Sequence, residues 1–324
     1  MTSGEHQATV SIVIPAYGVA EWVADAVRSA IAQPEALEII IVDDGSPDAS
    51  IPRAKAAGEG DPRVRCIKND RVRGVCGARN AGLAETTAAW VVFLDGDDAL
   101  EPGALRALLL EAERSASGAN KVQPVGIFGS FAHVDEAGNA VDSSWLVDRA
   151  DALRCHPERP LTIEMLPLRT FNPPPGAQLL RVDALRAVGG WDEHRSDPGQ
   201  SEDYEVVVRL ASQGPIALTD AVVLQYLQRN ASRSQRSGNN RRRALTRLAA
   251  VRRAPRSKRA SLARAQAHSY WRLGKVRLLR GLRDRSATLI GHGATDALLA
   301  VVFEVAGPVT VLLWPWKPRW SLVD

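Results

Sequence analysis

A buried strand that ends in three carboxylates is the feature that most constrains how this chain folds. The five residues from Trp90 to Leu94 are apolar without alternation, which predicts a strand buried on both faces. Asp95, Asp97 and Asp98 follow within four positions. Open α/β sheets bind ligands at the carboxyl ends of their strands, so a binding site is expected here. Closely spaced oxygen ligands suit Mg²⁺ or Mn²⁺, while the alternative is a solvated acidic turn that caps the next helix.

Strands and helices alternate before residue 120. The predicted strands are Val10–Ile14, Leu37–Val42, Arg63–Lys68 and Ala89–Leu94, and the clearest helices are Glu21–Ala32, Val75–Thr86 and Pro102–Ser115. Strands that alternate with helices indicate βαβ units and a largely parallel sheet.

The pattern changes after residue 120. Predicted elements there are a strand at Val125–Val134 with a return at Asn139–Val147, a stiff loop at Phe171–Gly176, helices at Val182–Val188 and Ser201–Ser212, and a strand at Ile216–Gln228. A Ser-, Arg- and Asn-rich linker, Arg229–Asn240, follows. We therefore predict a domain at residues 1–236, with halves at about 9–120 and 121–236, and a helical C-terminal extension at 237–324.

The length of 324 residues allows one large α/β domain and an appendage. The three cysteines have no metal-ligand spacing and form no even-numbered disulfide framework, which favours a reducing cytosol. Residues 1–9 are polar and include no apolar core, so no signal peptide is expected.

The net charge of +4 conceals a strong asymmetry. Between Arg241 and Arg285, 16 Arg and Lys residues stand against the single acid Asp284, so this segment has a charge of +15 and the rest of the chain −11. A basic segment of this kind predicts an anionic partner: membrane lipid, nucleic acid or another protein. Nucleic acid is not expected, because only Tyr270 and Trp271 could read bases there.

An apolar stretch, Ala297–Trp314, follows the basic segment, but Glu304 and Pro308 interrupt it. A spanning helix needs about 20 apolar residues and tolerates few charges. Three tryptophans interleaved with basic residues are typical of a membrane interface: Trp314, Trp316 and Trp320. The expectation is peripheral association with the cytoplasmic face of the inner membrane. The alternatives are a helix docked on the body of the protein and a true span.

Six short motifs occur in the order and spacing of family 2 glycosyltransferases. They are Val10–Tyr17, Val42–Asp48, Gly77–Gly82, Phe93–Asp98, Val188–Glu193 and Ser201–Glu205. Over roughly residues 9–230 the chain resembles this family. The resemblance implies the GT-A fold, an α/β architecture with a Rossmann-like, mostly parallel central sheet flanked by helices. It also implies an inverting, metal-dependent transferase of the hexosyltransferase type that uses a nucleotide-sugar.

The resemblance places the nucleotide at six positions: Pro15, Tyr17, Asp43, Asp44, Arg79 and Asp95. The chemistry agrees, because a base needs an acceptor for its imide N–H, which Asp44 can supply, and a surface to pack on, which Tyr17 and Pro15 can supply. The alternatives are that Asp43 and Asp44 only cap the next helix and that Arg79 is a surface residue. The glycine-rich segment from Gly74 to Gly82 is neither a dinucleotide-binding fingerprint nor a P-loop.

The resemblance also assigns the metal and the general base. Asp97 is the expected direct ligand of Mn²⁺ or Mg²⁺, which would neutralise the leaving nucleoside diphosphate. Asp203 is the expected general base, unless the pair Glu202 and Asp203 only caps a helix. Acceptor contacts are expected from Trp191, Asp192 and Glu202, although Trp191 could instead close the core.

One departure from the family pattern concerns the metal. Metal-using relatives often have a histidine shortly after the last predicted strand, where this chain has Arg229. Metal coordination would then rest on Asp97 and the diphosphate alone, or Arg229 would supply part of the positive charge. His194 beside Trp191 is either an acceptor contact or an exposed loop residue.

The expected reaction is transfer from a nucleotide-sugar, with a UDP-sugar as the default, to a hydroxyl of a glycan or lipid-linked acceptor. A role in cell-envelope polysaccharide or glycolipid synthesis would suit peripheral membrane attachment. Two other functions stay open at this point: a sugar-nucleotidyltransferase and a non-catalytic, membrane-associated scaffold. A sugar-nucleotidyltransferase would need a glycine-rich N-terminal loop with basic residues, and Pro15–Gly18 does not provide one.

Overall fold

A computed structural model describes residues 10–117, 123–141, 173–193 and 202–229, and seven single helical positions between 263 and 298. The strands are β1 (Val10–Ala16), β2 (Ala36–Asp43), β3 (Val64–Lys68), β4 (Trp90–Phe93), β5 (Ala99–Leu100), β6 (Gly126–Val134), β7 (Gln178–Arg181) and β8 (Ile216–Leu227). The helices are α1 (Val23–Ile31), α2 (Ser50–Ala57), α3 (Val75–Glu85), α4 (Ala104–Ser117), α5 (Val182–Ala187) and α6 (Glu202–Leu210). These strands form one sheet in the order β3-β2-β1-β4-β7-β6-β8-β5.

The first four strands are parallel, as the alternation of strands and helices predicts. β1 lies between β2 and β4, and β3 pairs with the outer side of β2. The middle residues of β1 and β2 are buried on both faces of the sheet, which explains their uninterrupted apolar sequences. β1 continues past Ile14, because Pro15 and Ala16 still pair with the end of β2.

The second half of the sheet is mixed. β7 runs antiparallel to both β4 and β6, β8 is parallel to β6, and the two-residue strand β5 is antiparallel to β8. The sequence did not predict β5 or β7. Within the predicted return strand at Asn139–Val147, Ala140 forms one antiparallel bridge with Val134. The rest of that prediction cannot be compared, because residues 142–172 lie outside the described ranges.

Two apolar cores lie on the two faces of the sheet. Alternate residues of a strand contribute to different cores: Ile39 and Ile41 pack with α1, α2 and α4, whereas Ile40 packs with α3, α5 and α6. Two buried positions of the C-terminal extension, Ala263 and Ala267, belong to the core that contains Ile40. Within the described residues, no helix is long and apolar enough to cross a membrane. The boundary near residue 236 stays a prediction.

Candidate active site

The carboxyl ends of β2, β1 and β4 meet at one edge of the sheet, because these strands are adjacent and parallel. The backbone N–H of Asp44, just after β2, donates to the carbonyl of Ala16 at the end of β1, with an N···O distance of 3.1 Å. The backbone N–H of Leu94 likewise donates to Val13, at 2.9 Å. The acidic segments after β2 and β4 therefore flank β1 at the same end of the sheet, one on each side of it.

The Asp44 side chain is buried, and its carboxylate accepts hydrogen bonds from Asn69 and from Gly74, the first residue of the glycine-rich segment. The backbone N–H of Gly74 lies 3.0 Å from both carboxylate oxygens, and the Asn69 amide donates to Oδ1 at 2.7 Å. The first N–H of α2, that of Ser50, donates instead to Oδ1 of Asp48, at 3.0 Å. The capping alternative for Asp44 is therefore wrong, and Oδ2 can accept a further hydrogen bond.

Asp43 has a local role in the turn that follows β2. Its Oδ1 accepts hydrogen bonds from the backbone N–H groups of Gly45 and Ser46, both at 3.0 Å. An aspartate that binds the N–H groups two and three residues further on stabilises a turn. Asp43 thus shapes the loop beside the predicted nucleotide site.

Tyr17 and Arg73 form an exposed aromatic and cationic surface next to Asp44. The Tyr17 side chain is 37% exposed, and the Arg73 guanidinium carbon lies 5.1 Å from the centre of its ring. Arg73 also donates from Nη2 to the carbonyl of Gly45, at 3.0 Å. Arg73 was not predicted as a site residue. Its position directly before the glycine-rich segment is a signal that could have identified it.

Arg79 joins two acids that are far apart in the sequence. From α3, it donates from Nη2 to Oδ1 of Asp95 at 2.8 Å and from Nη1 to Oδ1 of Asp203 at 2.6 Å. Its side chain is only 2% exposed, so the surface alternative is wrong. Burial opposes the positive charge, but Asp203 and Asp95 more than offset it and raise the pKa of Arg79.

Glu202 and Asp203 begin α6, where the helix dipole favours negative charge. Burial and the neighbouring Asp203 together raise the pKa of Glu202 to about 7, against the opposing effect of Arg79. Burial also raises the pKa of Asp203, and Arg79 opposes that shift. A carboxylate pair that binds a proton near neutral pH is suited to general base catalysis.

Trp191 is a core residue that also borders a cavity. It is 3% exposed, and its ring contacts Phe93 edge to face with centroids 4.4 Å apart. The Asn80 side chain accepts from its backbone N–H and donates to its carbonyl, each at 2.9 Å. Trp191 and Asp192 line an open cavity of about 640 Å³ between α3 and the loop after α5. His194 lies outside the described residues.

Asp97 and Asp98 have separate partners. The Asp97 carboxylate is ion-paired with the Arg229 guanidinium. Asp98 accepts a hydrogen bond from the backbone N–H of Leu227 at 3.0 Å, so it anchors β8 rather than capping α4. Burial, Asp97 and Asp95 raise the pKa of Asp98 well above its usual range.

The acids around Asp97 already have partners within the chain. The Asp97 carboxylate is ion-paired with Arg229, although burial and Asp95 still raise the pKa of Asp97, and Asp95 is paired with Arg79. Within the described ranges, no group of three His, Cys, Asp or Glu side chains is placed to hold a metal. The Mn²⁺ or Mg²⁺ expected from the sequence stays a prediction.

Comparison with known proteins gives a family match and several relatives. Residues 11–189 match the family model described as glycosyl transferase family 2. The succinoglycan biosynthesis protein ExoO of Rhizobium meliloti is 42% identical over 109 residues, which are 33% of this chain and 31% of ExoO. The Escherichia coli UDP-Glc:alpha-D-GlcNAc-diphosphoundecaprenol beta-1,3-glucosyltransferase WfaP is 40% identical over 93 residues, which are 28% of this chain and 35% of WfaP. The alignments thus span about a third of each of these relatives.

The fold is similar to a solved structure. TarS of S. aureus, in a crystal structure with UDP-GlcNAc, superposes with a TM-score of 0.63. The superposition covers 94% of this chain and 90% of the TarS chain, at 13% sequence identity. This similarity confirms the predicted α/β GT-A fold.

Proposed function

The chain belongs to glycosyl transferase family 2, and from that premise we propose that it is an inverting glycosyltransferase that uses a nucleotide-sugar donor. The observation that carries this proposal is the bridge made by Arg79 between Asp95 and Asp203. A single guanidinium holds the acid after β4 close to the acid that begins α6. A donor bound at the strand ends would therefore have its sugar next to a general base.

The donor nucleotide would bind where β1 and β2 end. The base would pack on Tyr17 and Pro15, and Oδ2 of Asp44 would accept its imide N–H. Arg73, already 5.1 Å from the centre of the Tyr17 ring, could cover the other face of the base. A UDP-sugar is the proposed donor, which the UDP-GlcNAc complex of TarS and the name of WfaP support. Asp95 would contact the ribose.

The transfer would proceed by direct displacement. The acceptor oxygen forms a bond to the anomeric carbon while its proton passes to Asp203, with Glu202 beside it. The bond from the anomeric carbon to the phosphate oxygen breaks, and its electron pair leaves with the nucleoside diphosphate. A base on the face opposite the leaving group gives inversion. Trp191 and Asp192 would position the acceptor from the cavity that they line.

Asp97 is the side chain by which a divalent metal would be held, and such a metal would supply positive charge to the leaving diphosphate. The reaction above includes no step through a metal, because Asp97 is paired with Arg229 in the folded chain.

The proposed acceptor is a growing cell-envelope polysaccharide or glycolipid. The names of ExoO and WfaP, which refer to succinoglycan and to a diphosphoundecaprenol-linked sugar, support it. A lipid-linked acceptor would be reached from the cytoplasmic face of the inner membrane. The +15 segment between Arg241 and Arg285 could contribute roughly 1 kcal/mol per suitably placed basic residue at an anionic leaflet.

Flotation with anionic liposomes tests this attachment. The full chain is compared with a chain truncated after Arg236, and only the full chain should float. If neither floats, peripheral attachment is wrong, and docking of the extension on the body, as the buried Ala263 and Ala267 indicate, is the better description.

The catalytic proposal is tested with a panel of UDP-, GDP- and dTDP-sugars, read by release of nucleoside diphosphate with and without Mn²⁺. We expect acceptor-dependent release from one donor class, and loss of release in Asp203→Asn. Equal release from wild type and Asp203→Asn with every donor would contradict the proposed role of the site.

A further inference from the structure

The three acids that follow β4 are divided among three partners. The pairs are Asp95 with Arg79, Asp97 with Arg229, and Asp98 with the backbone N–H of Leu227. A divalent ion that used Asp97 would have to compete with a guanidinium that is already in place. The Arg229 guanidinium therefore supplies the positive charge beside Asp97 that a divalent ion would otherwise supply.

Arg229 is held in position from several sides. It follows β8, where the backbone N–H of Leu227 donates to Asp98 at 3.0 Å and that of Gln228 donates to Val134 at 2.8 Å. Its guanidinium carbon lies 4.5 Å from the centre of the Trp22 ring, a cation–π contact. The side chain is 23% exposed. Arg229 is thus a positioned cation, and its outer surface can meet a ligand.

The chemistry of the guanidinium suits a diphosphate. Arginine stays charged at all physiological pH values and has five N–H donors in a rigid plane. Nη2 donates to Asp97 and Nε is buried, so Nη1 is the part of the guanidinium that can meet a ligand. Arg–phosphate contacts are frequently bidentate, so a further N–H edge can bind phosphate oxygens.

We propose that Arg229, rather than a divalent metal ion, neutralises Asp97 and binds the diphosphate of the donor. As the bond from the anomeric carbon to phosphate breaks, its electron pair passes to the leaving diphosphate, and the Arg229 N–H groups bind the oxygen that gains charge. The Trp22 ring and Asp97 keep the guanidinium in place during this step. This inference rests on the proposed function.

Two measurements on the wild-type protein test the inference without using turnover. Calorimetry measures UDP, GDP and dTDP binding in EDTA and then in Mn²⁺. The best-bound nucleotide should have the same affinity in both buffers within about threefold, a difference well under the tenfold that 1.4 kcal/mol represents. In the second measurement, Mn²⁺ is titrated into nucleotide-free protein and followed by electron paramagnetic resonance. Wild type and Asp97→Asn should give the same titration, because no Mn²⁺ is expected to bind at Asp97.

Variants of Arg229 complete the test. Arg229→Met keeps an unbranched apolar stem but loses the guanidinium and its charge, and should weaken nucleotide binding at least about tenfold, as expected on losing a hydrogen bond to a charged group. Arg229→Lys keeps a positive charge but lacks the planar guanidinium, so its nucleotide affinity should lie between those of Arg229→Met and wild type. Arg28→Met is the matched control, because Arg28 is an exposed arginine of α1 paired with Asp25. It should bind nucleotide as wild type does.

The results separate the two proposals. Nucleotide binding that falls tenfold or more in EDTA would overturn the inference and leave the glycosyltransferase proposal standing. Mn²⁺ binding to the nucleotide-free wild type that Asp97→Asn abolishes would overturn it as well. No binding of any of the three nucleotides in either buffer would instead overturn the proposed nucleotide site. If Arg229→Met does not fold, the wild-type measurements still decide whether a metal takes part, and Arg229→Lys tests the guanidinium: nucleotide affinity equal to wild type in that variant would overturn its role.

Discussion

Replacement of Arg79 by methionine should cost both stability and activity. Methionine replaces the unbranched stem of arginine but not its guanidinium, so the change mainly removes the charge and its hydrogen bonds. Asp95 and Asp203 would lose the guanidinium that now lies 2.8 and 2.6 Å from their oxygens. Asp203, whose pKa burial already raises, would then lack its main counter-charge.

The expected size of the effect follows from burial. Removal of one partner of a buried ion pair costs about 3–5 kcal/mol, because the other charge stays uncompensated. Arg79 is 2% exposed, but the side chains of Asp95 and Asp203 are 30% and 26% exposed, so water screens them in part. We therefore expect the lower end of the range, about 3 kcal/mol of unfolding free energy at neutral pH.

The pH dependence has a defined sign. Without Arg79, the folded-state pKa of Asp203 rises further above its unfolded value, so the folded state binds a proton more readily than the unfolded state. The stability lost in Arg79→Met should therefore diminish as the pH falls from neutral through the pKa of Asp203 in the folded variant.

Urea unfolding at several pH values, followed by circular dichroism, measures this loss. Arg28→Met serves as the control, because its exposed ion pair should contribute no more than about 0.5 kcal/mol. Arg79→Met/Asp203→Asn should recover part of the stability lost in the single variant, because the second change removes one uncompensated charge. A loss below about 1 kcal/mol, or one that grows as the pH falls, would refute the reasoning.

Other variants test the base, its pH range and the nucleotide site. Asp203→Asn should bind nucleotide normally but lower kcat by about two to four decades, as measured in steady state; a value within threefold of wild type would shift the role to a neighbour. Because Glu202 has a pKa of about 7 beside Asp203, kcat/KM should rise with pH through that value, and Glu202→Gln should move the rise to lower pH; identical profiles would exclude the coupling. Tyr17→Ala should weaken nucleoside diphosphate binding in calorimetry by roughly 5- to 150-fold, since stacking of a base on an aromatic ring contributes about 1–3 kcal/mol. Unchanged affinity would remove Tyr17 from the base site.

Three strands of the first half, β1, β2 and β4, could be predicted closely because most of their residues are buried. Such strands are continuous apolar sequences, and the prediction Leu37–Val42 differs from β2 by one residue at each end. β5 and β7 could not be predicted, because neither is a continuous apolar run of useful length: β5 has two residues, and β7 has a polar residue at each end. β5 pairs with Gln225 and Leu224, which lie far along the chain in β8.

The sequence indicated which acids lie at the site but not what holds them. The rule for strand ends indicated Asp95 and Asp97, and the family resemblance indicated Asp44, before any geometry was available. Their partners come from distant segments: Arg79 is 124 residues from Asp203, and Arg229 is 132 residues from Asp97. Nothing local distinguishes a buried arginine on a helix from an exposed one.

The glycine-rich segment before and within α3 explains how Arg79 reaches this site. A Cβ on Gly77 would lie 1.8 Å from the carbonyl oxygen of Val72, and one on Gly82 would lie 2.3 Å from Cγ1 of Val13 in β1. These glycines are needed because backbone and sheet approach α3 closely, and no phosphate contact is required to account for them. Arg79 lies between the two close approaches, so its guanidinium is brought to the end of β4 by helix–sheet packing. The same packing that buries the charge therefore sets the distance between Asp95 and Asp203.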